Sequence, residues 1–322
     1  MFSAFLACKD TPIYGLMRVM VSKERFSIAL LATLFVASIV FSTLGPSQQP
    51  GQSSKGVSLR SSVAIIPVYG PIQLDSYDLF RRSGIDAIRA QLETARDRQD
   101  VKAVILRVNS PGGPVGSSQE LYSTIKSFKK QSGKPVVVSI VDAGASGAYW
   151  ISMASDHIMA QPGSMVGSLG VIIQVPDFTK VEERYGVSFK TYKAGKMKDI
   201  LNPWRATTAE EKALINRHLE DVHEQFIDVL VLERQLDRAT AKTLADGRVF
   251  TGRKAMSLGL VDSLGGLDDA VSQAQKLAGL KSAPAMIYLH DAPFKQLFNS
   301  FGMSMPRMFL PSWLTETGYT VQ

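Results

Sequence analysis

The sequence has a single cysteine among its 322 residues, and this excludes several kinds of site. Cys8 has no partner within the chain, so neither an intrachain disulfide nor a cysteine-based metal centre can form. The four histidines include no HExxH pair, which is the signature of a common class of zinc peptidase. We therefore expect no metal and no cofactor.

A dense block of basic residues is also missing. The formal net charge is +7, but lysine and arginine are spread along the chain and are not interleaved with aromatic residues. This pattern is typical of a solvated surface, so nucleic acid is not an expected partner. A composition with 45% hydrophobic and 20% charged residues excludes wholesale disorder.

One long apolar run is present near the N-terminus. Phe26 to Leu44 carries no charge, and as a helix it would span about 28 Å, close to the thickness of a bilayer's hydrocarbon core. Lys23 and Arg25 precede it, so the positive-inside rule places residues 1–25 in the cytoplasm and the rest of the chain across the membrane. The run therefore predicts a single-pass anchor in a plasma membrane.

A cleaved signal peptide is the competing interpretation of this run. Such peptides usually have an apolar core of about 7–15 residues and a small-x-small cleavage site. The run at 26–44 is longer and ends at Gly45-Pro46 without a clear site. We therefore favour an uncleaved anchor, followed by a flexible linker at 45–56 that is rich in Ser, Gln, Gly and Pro.

From Val57 onward, strand-like and helix-like segments alternate. Short apolar runs predict strands, and amphipathic stretches predict helices between them. A longer helix is expected from the overlapping capping boxes at Thr207 and Thr208 to about Leu236. The alternation favours an α/β domain with a substantial parallel component. The predicted strands are Val63–Val68, Val101–Val108 and Pro135–Val141, and the shorter helices are Ile85–Arg96 and Ser118–Lys130.

Ser146 is the candidate nucleophile. It stands in Asp142-Ala-Gly-Ala-Ser-Gly-Ala-Tyr149, where a strand-like run gives way to small residues and then to a helix-like run. Small neighbours leave the hydroxyl uncrowded, and the backbone N–H groups at the start of the helix are free to point at its target. A helix N-cap serine is the alternative interpretation.

A serine hydroxyl needs a base to take its proton. A histidine is one possibility, because four of them lie downstream of Ser146, although none stands in a distinctive loop. Lys198 is the other possibility, in the glycine-containing loop Lys193 to Pro203. A lysine that acts as a base must be neutral, and burial among apolar groups such as Met197, Ile200 and Trp204 favours that form.

An oxyanion hole is needed as well, because negative charge develops on the attacked carbonyl. The loop Pro111-Gly112-Gly113 follows a strand and can supply one backbone N–H, although a simple turn is the alternative interpretation. Gly147, directly after the serine, can supply the second.

Taken together, six motifs in order resemble the SppA (protease IV) signal peptide peptidases. The resemblance covers residues 63–278. The motifs are Asn109-Ser-Pro-Gly-Gly113, Ala145-Ser-Gly-Ala-Tyr-Trp-Ile151, Gly167-Ser-Leu-Gly-Val171, Gly195-x-x-Lys198-Asp199, Asp246-Gly-Arg-Val-Phe-Thr-Gly252 and Gly259-Leu-Val-Asp-x-Leu-Gly-Gly266.

The resemblance implies a fold and a division of roles. The fold would be a crotonase/ClpP-like α/β superhelix of repeated β-β-α units. Ser146 would be the nucleophile and Lys198 the general base, with Ser168 orienting the lysine amine. Gly113 and Gly147 would offer the oxyanion N–H groups. The single copy of the motifs resembles the short form of the family, whose neighbouring subunits share active sites in a homo-oligomer.

The expected protein is thus a serine endopeptidase with a membrane anchor at 26–44 and a peptidase domain at 57–282. By resemblance, its substrates are cleaved signal peptides and other apolar peptides on the extracytoplasmic side. Two alternatives are a crotonase-fold enzyme acting on acyl-CoA and an inactive scaffold of the same fold. The tail at 283–322 matches no motif. Packing between subunits or within the domain is the favoured interpretation, and membrane contact or a loose end are the alternatives.

Overall fold

The computed structural model describes residues 61–74, 76–78 and 81–289. Within these residues the chain forms ten strands and eight helices. The strands are β1 Ser62–Tyr69, β2 Ser76–Asp78, β3 Arg81–Ser83, β4 Val101–Ser110, β5 Val136–Ala145, β6 His157–Ala160, β7 Met165–Gly167, β8 Val249–Thr251, β9 Ser263–Leu264 and β10 Ala285–Tyr288. The helices are α1 Ile85–Asp97, α2 Val115–Ser132, α3 Gly147–Ser152, α4 Thr179–Tyr185, α5 Ala209–Arg234, α6 Arg238–Leu244, α7 Gly252–Ser257 and α8 Leu267–Leu277.

Most strands belong to one sheet with the order β10-β1-β4-β5-β6-β9, in which all neighbours are parallel. A parallel sheet is covered on both faces, so its strands are nearly continuous runs of apolar residues. The residues from Val63 to Ile66 accordingly have no exposed surface. Short β7 runs parallel to the end of β5, and β8 runs antiparallel to β7. The α/β class expected from the sequence is confirmed.

The two faces of the sheet form separate cores, because successive side chains of a strand point to opposite sides. Ala64 and Ile66 face the larger core, which also contains buried side chains of α1, α2 and α5. Val63 and Ile65 face the smaller core, against Ala270 and the rest of α8. The sheet is thereby fixed from both sides.

Helix α5 begins at the capping box that the sequence predicts. The Thr208 hydroxyl accepts from the Glu211 N–H at 3.2 Å, and the Glu211 carboxylate accepts from the Thr208 N–H at 2.8 Å. Further along the helix, Val222 and Phe226 are buried. Phe226 also contacts Trp150 of α3, with ring centroids 4.6 Å apart. This helix therefore lies over the segment that follows β5.

The sheet continues beyond residue 282, where we expected the peptidase domain to end. Strand β10 pairs with β1, in the register Ser62–Ala285 to Ile65–Tyr288. Residues 285–288 therefore belong to the sheet rather than to a separate tail. Such a short strand, directly after Pro284, gives little signal in the sequence.

The predicted cytoplasmic segment 1–25, anchor 26–44 and linker 45–56 lie outside the described residues, as does the tail from residue 290. Among the helices of the described ranges, none has the length and apolar character needed to cross a bilayer.

Parallel strands place their carboxyl ends at one edge of the sheet, which is where ligand sites of open α/β sheets occur. Three of the predicted motifs follow strands that end there. Pro111 follows β4, Ser146 follows β5, and Ser168 follows β7. The fold thus gathers at one edge residues that are far apart in the sequence.

Candidate active site

The backbone of Ser146 is held in a strained conformation between β5 and α3. Its φ of 51° and ψ of −124° lie in a region that residues other than glycine rarely adopt, and such strain costs about 1–3 kcal/mol. The Ser146 N–H donates to the Gly167 carbonyl at 2.7 Å, and its own carbonyl accepts from the Trp150 N–H at 3.0 Å. The surrounding structure therefore imposes this geometry on the serine.

Helix α3, which follows the serine, is buried along its whole length. Tyr149 has no exposed surface, and its hydroxyl donates to the Leu260 carbonyl at 2.6 Å. Burial raises the pKa of Tyr149 far above its ordinary value, so the hydroxyl stays a donor. This anchored helix fixes the direction of the first N–H groups after Ser146.

The glycine loop after β4 packs directly against the serine. Gly112 has a φ of 101°, and its carbonyl accepts from the Ile72 N–H at 2.9 Å. A Cβ at Gly112 would lie 2.7 Å from the Gly147 nitrogen and 2.9 Å from the Ser146 Cβ. A Cβ at Gly113 would lie only 1.9 Å from the Ile72 carbonyl oxygen. Glycine is thus required at both positions by close backbone approach.

The two predicted oxyanion donors meet at this contact. A Cβ at Gly147 would lie 3.2 Å from the Gly113 nitrogen and 2.2 Å from the Ser118 Oγ of α2. Gly147 is the first residue of α3, so its N–H has no acceptor within the helix. The structure therefore brings the backbone of Gly113 and Gly147 together beside Ser146.

Ser168 lies next to Ser146 across the sheet. The register pairs Ala145 with Gly167, so the residues that follow each strand end come side by side, at about the 4.8 Å spacing of neighbouring strands. Ser168 repeats the positive φ of its neighbour, also at 51°. Its N–H donates to the Arg248 carbonyl at 2.8 Å, which ties the residue to the segment before β8.

Ser146 opens into a cavity of about 660 Å³, a size typical of ligand pockets. Its walls come from the glycine loop, from the segment after Ser168, and from α5. Apolar side chains form one part of the lining and polar side chains the other. The apolar ones are Val115, Val171, Ile172, Ile173, Leu219 and Val222, and the polar ones are Gln119, His218, Asp221 and Gln225.

Lys198 lies outside this cavity. It is exposed, and it stands in a series of turns, with its N–H donating to the Gly195 carbonyl at 3.2 Å. Within one chain the structure thus brings together Ser146, Ser168 and the two glycines, whereas the predicted base does not line the same pocket.

Sequence reasoning missed part of the pocket wall. Leu219 and Val222 of α5 both line the cavity, although the sequence pattern assigns them no part in a site. His218 of the same helix is exposed and lines it as well. The run Val171-Ile172-Ile173, directly after the Ser168 motif, was the available signal, because three consecutive apolar residues in a loop are unusual unless they contact something.

The arrangement defines a class of chemistry. A strained serine that lines a cavity with an apolar wall, with two backbone N–H donors beside it, can accept an acyl group on its hydroxyl. This is the arrangement of a serine-type hydrolase. In the described part of the chain, no group of three or more His, Cys, Asp or Glu side chains could hold a metal ion.

Comparison with known proteins agrees with this class. The family model described as Peptidase family S49 matches residues 128–281. The chain is 37% identical over 223 residues to a putative protease of Synechocystis sp., an alignment that covers 69% of this chain and 76% of the relative. It is 32% identical over 243 residues to the putative signal peptide peptidase SppA of Enterococcus faecium, covering 76% and 70% of the two chains.

A third relative, Protease 4 of Salmonella typhi, is 34% identical over 232 residues, which cover 72% of this chain but only 37% of that protein. The chain belongs to the SppA family of peptidases, peptidase family S49, as its motifs indicate. It is a serine-type protease.

Proposed function

We propose that the protein is a membrane-anchored endopeptidase in which Ser146 is the nucleophile and Lys198 the general base. The observation that carries the proposal is the strained Ser146 at the cavity mouth, with the Gly113 and Gly147 backbones in contact beside it. No other described serine combines these features with a family motif. The predicted anchor at 26–44 would hold the enzyme on the extracytoplasmic face of the membrane.

The reaction would proceed in two stages. The Ser146 Oγ attacks the scissile carbonyl while its proton passes to the Lys198 amine, and the Gly113 and Gly147 N–H groups stabilise the oxyanion. The C–N bond then breaks, and the lysine returns the proton to the leaving amine. A water molecule, deprotonated by the same amine, then attacks the acyl-enzyme; as the ester C–O bond breaks, the amine returns this proton to the Ser146 Oγ and the carboxylic acid product leaves. Ser168, beside Ser146 at the strand ends, would accept or donate a hydrogen bond that orients the amine.

Two observations support a site that is completed by a second copy of the chain. Lys198 is exposed and outside the cavity in the single chain, whereas a neutral amine requires burial. The segment that carries it, residues 171–205, which we call the base arm, exposes large apolar side chains. Ile172 is 77% exposed, Tyr185 70% and Tyr192 91%. Such a surface favours contact with another subunit.

The lining of the cavity supports apolar peptide substrates. Val171, Ile172, Leu219 and Val222 would receive apolar side chains of an extended peptide, and a signal peptide's core is made of such residues. Cleaved signal peptides are therefore the substrate class that we propose.

We also propose the finer fold assignment, a crotonase/ClpP-like superhelix, which agrees with the glycine loop beside the proposed nucleophile.

His218 is the alternative base, because it lines the same cavity as Ser146 within one chain. It stands one turn before Val222 on α5, with Asp221 three residues further along the helix. The two candidates make opposite predictions for single substitutions. Activity would fall by several orders of magnitude in K198A but not in H218A if the lysine is the base, and the reverse would hold for the histidine.

The test is peptide hydrolysis together with fluorophosphonate labelling of wild type, S146A, K198A and H218A. We expect wild type and H218A to be labelled and active, and S146A to be unlabelled. K198A should remain folded but lose about 10³-fold or more in rate. Labelling that persists in S146A would contradict the nucleophile. An acyl-CoA enzyme or an inactive scaffold of the same fold would leave Ser146 of the wild type unlabelled.

A further inference from the structure

The base arm has little that fixes it to the sheet. Residues 195–202 form consecutive turns, with N–H groups of Lys198, Ile200 and Asn202 donating to carbonyls three residues earlier. Helix α4, the one helix in the arm, has no buried residue. The position of Lys198 must therefore depend on side-chain contacts rather than on the ladder of a sheet or on a packed core.

One such contact starts at Asp199, the residue directly after Lys198. Its carboxylate accepts from the Arg205 Nε at 2.9 Å and pairs with Lys193 on its other oxygen. The Arg205 Nη2 also donates to the Asp199 carbonyl at 3.0 Å. The Asp199 side chain is 10% exposed, so these charge-assisted bonds are largely shielded from water. Arg205 thus holds both the side chain and the backbone next to Lys198.

The other side of the Arg205 guanidinium binds Glu211. Its Nη1 donates to one carboxylate oxygen at 2.9 Å, and its Nη2 donates to the second oxygen. Glu211 is only 3% exposed, and it is also the carboxylate of the α5 capping box, where it accepts from the Thr208 N–H. The hydrogen bond from Arg205, followed by those from Thr208, lowers the pKa of Glu211 to about 2. This carboxylate is therefore a fixed, charged anchor.

Arg205 consequently ties the turn that carries Lys198 to the packed body of its own chain. On one side is that turn, and on the other is α5, whose Phe226 and Leu230 are buried in the larger core. A planar guanidinium with five donors can bind both carboxylates and a backbone carbonyl together, whereas a lysine ammonium carries all its donors on one nitrogen. Arginine is therefore suited to bridge Asp199 and Glu211.

We propose that Arg205 is a positioning residue, anchored on Glu211, that sets where the Lys198 turn stands relative to α5. The proposal rests on the proposed Ser146/Lys198 function. Displacement of a reacting group by about 1 Å can reduce a rate by roughly 10²-fold without contact between the altered residue and the substrate. Loss of Arg205 should therefore affect the chemical step rather than the binding of the peptide.

The matched control is Arg238, a second arginine that binds two carboxylates beside α5. It pairs with Glu224 and Asp228 of that helix, is 49% exposed against 30% for Arg205, and neither it nor its partners line the cavity. R238M removes a comparable ion-pair network whose members have no contact with Asp199 or Glu211. A general effect of lost surface ion pairs would therefore appear in R238M as well as in R205M.

The experiment measures kcat and KM with one peptide substrate for wild type, R205M, R205K, R238M and K198A in the full chain. We expect kcat of R205M to fall about 10²-fold with KM changed less than about 3-fold, partial recovery in R205K, and wild-type values in R238M. The acid limb of the pH profile should also move to higher pH in R205M, because the Asp199 carboxylate loses a neutralising cation beside Lys198.

The outcomes separate this inference from the function on which it rests. An inactive K198A with fully active R205M would leave the dyad in place and overturn the role of Arg205. An active K198A would overturn both. Equal losses in R205M and R238M, or a fall in kcat with an unchanged pH profile and a lowered melting temperature, would assign Arg205 to fold stability alone. R205K, which keeps the cation, supplies the folded variant if R205M does not fold.

Discussion

The proposed nucleophile and the proposed base stand in regions of opposite character. Ser146 lies between a buried parallel strand and a buried helix, and its strained φ of 51° is imposed from both sides. Lys198 lies in turns of the base arm, which is held by ion pairs and by the contacts of the Phe178 and Phe189 rings with Trp204. Within one chain Ser146 and the Gly113 and Gly147 backbones are already together, whereas Lys198 stands apart from them, as the proposed completion of the site by a second copy requires.

Among the substitutions that follow, the largest loss of kcat is expected for G147A, beside the firmly held Ser146. The new Cβ would lie 2.2 Å from the Ser118 Oγ and 3.2 Å from the Gly113 nitrogen, so the Gly147 N–H must move. Loss of one oxyanion donor typically lowers kcat by about 10²–10³-fold. The measurement is kcat for G147A, S118A and the double variant.

S118A is the matched control for that experiment, because it removes the colliding oxygen but keeps the Gly147 backbone. We expect S118A to retain activity and the double variant S118A/G147A to recover part of the loss. A wild-type kcat in G147A would show that the Gly147 N–H has no role in the reaction.

In the base arm, the other region of this comparison, substitution of exposed apolar residues should weaken the proposed assembly. I172S/Y192S removes two side chains that are 77% and 91% exposed, and an aromatic anchor in an interface contributes about 2 kcal/mol, or roughly 30-fold in association. Sedimentation velocity against concentration measures the change. L232S, at a residue that is 69% exposed on α5 away from the arm, is the control and should assemble as wild type does. Equal assembly of both variants would contradict the proposed contact.

A smaller effect is expected from releasing the strain at the nucleophile. Glycine accepts the φ of 51° at Ser146 more readily than alanine does, and its greater freedom in the unfolded chain offsets part of the gain. The free energy of unfolding of S146G should exceed that of S146A by about 1 kcal/mol in urea titration. If S146A is as stable as S146G, the serine is not strained in solution.

The smallest effect concerns the acid stability of the arm's anchor. The pKa of Glu211 is lowered from 4.5 to about 2, chiefly by the hydrogen bond from Arg205. Its contribution to stability is therefore fully present above pH 4.5 and is lost as the pH falls toward 2. The difference in Tm between wild type and E211Q should shrink over that interval. A difference that stays constant down to pH 2 would contradict the ion pair.

Much of the fold was predictable because buried parallel strands are simple apolar runs. The runs that contain Val63–Val68 and Val101–Val108 are strands, as expected, and the Thr208 capping box starts α5. The end of β5 was not predictable in the same way. It extends to Ala145, because Ala143 to Ala145 pair with β7, and small residues give no local strand signal.

The candidate site likewise has features that the sequence predicts and features that it does not. The placement of Ser146, Gly113 and Gly147 beside one another could be anticipated from motif spacing, since each follows a strand end. The positive φ of Ser146 and Ser168 could not, because strain at a non-glycine residue is imposed by tertiary contacts and leaves no mark in the residue type. The bridge from Asp199 through Arg205 to Glu211 likewise depends on the path of the turns between them.

The measurement that tests the shared site most directly is the activity of an assembly built from S146A and K198A chains together. Each variant alone lacks one member of every dyad and should be inactive. In a random 1:1 mixture, about one quarter of the sites would pair an intact Ser146 with an intact Lys198 of a neighbouring copy, and about that fraction of wild-type activity should return. Mixed assemblies of confirmed composition that remain inactive would contradict the account.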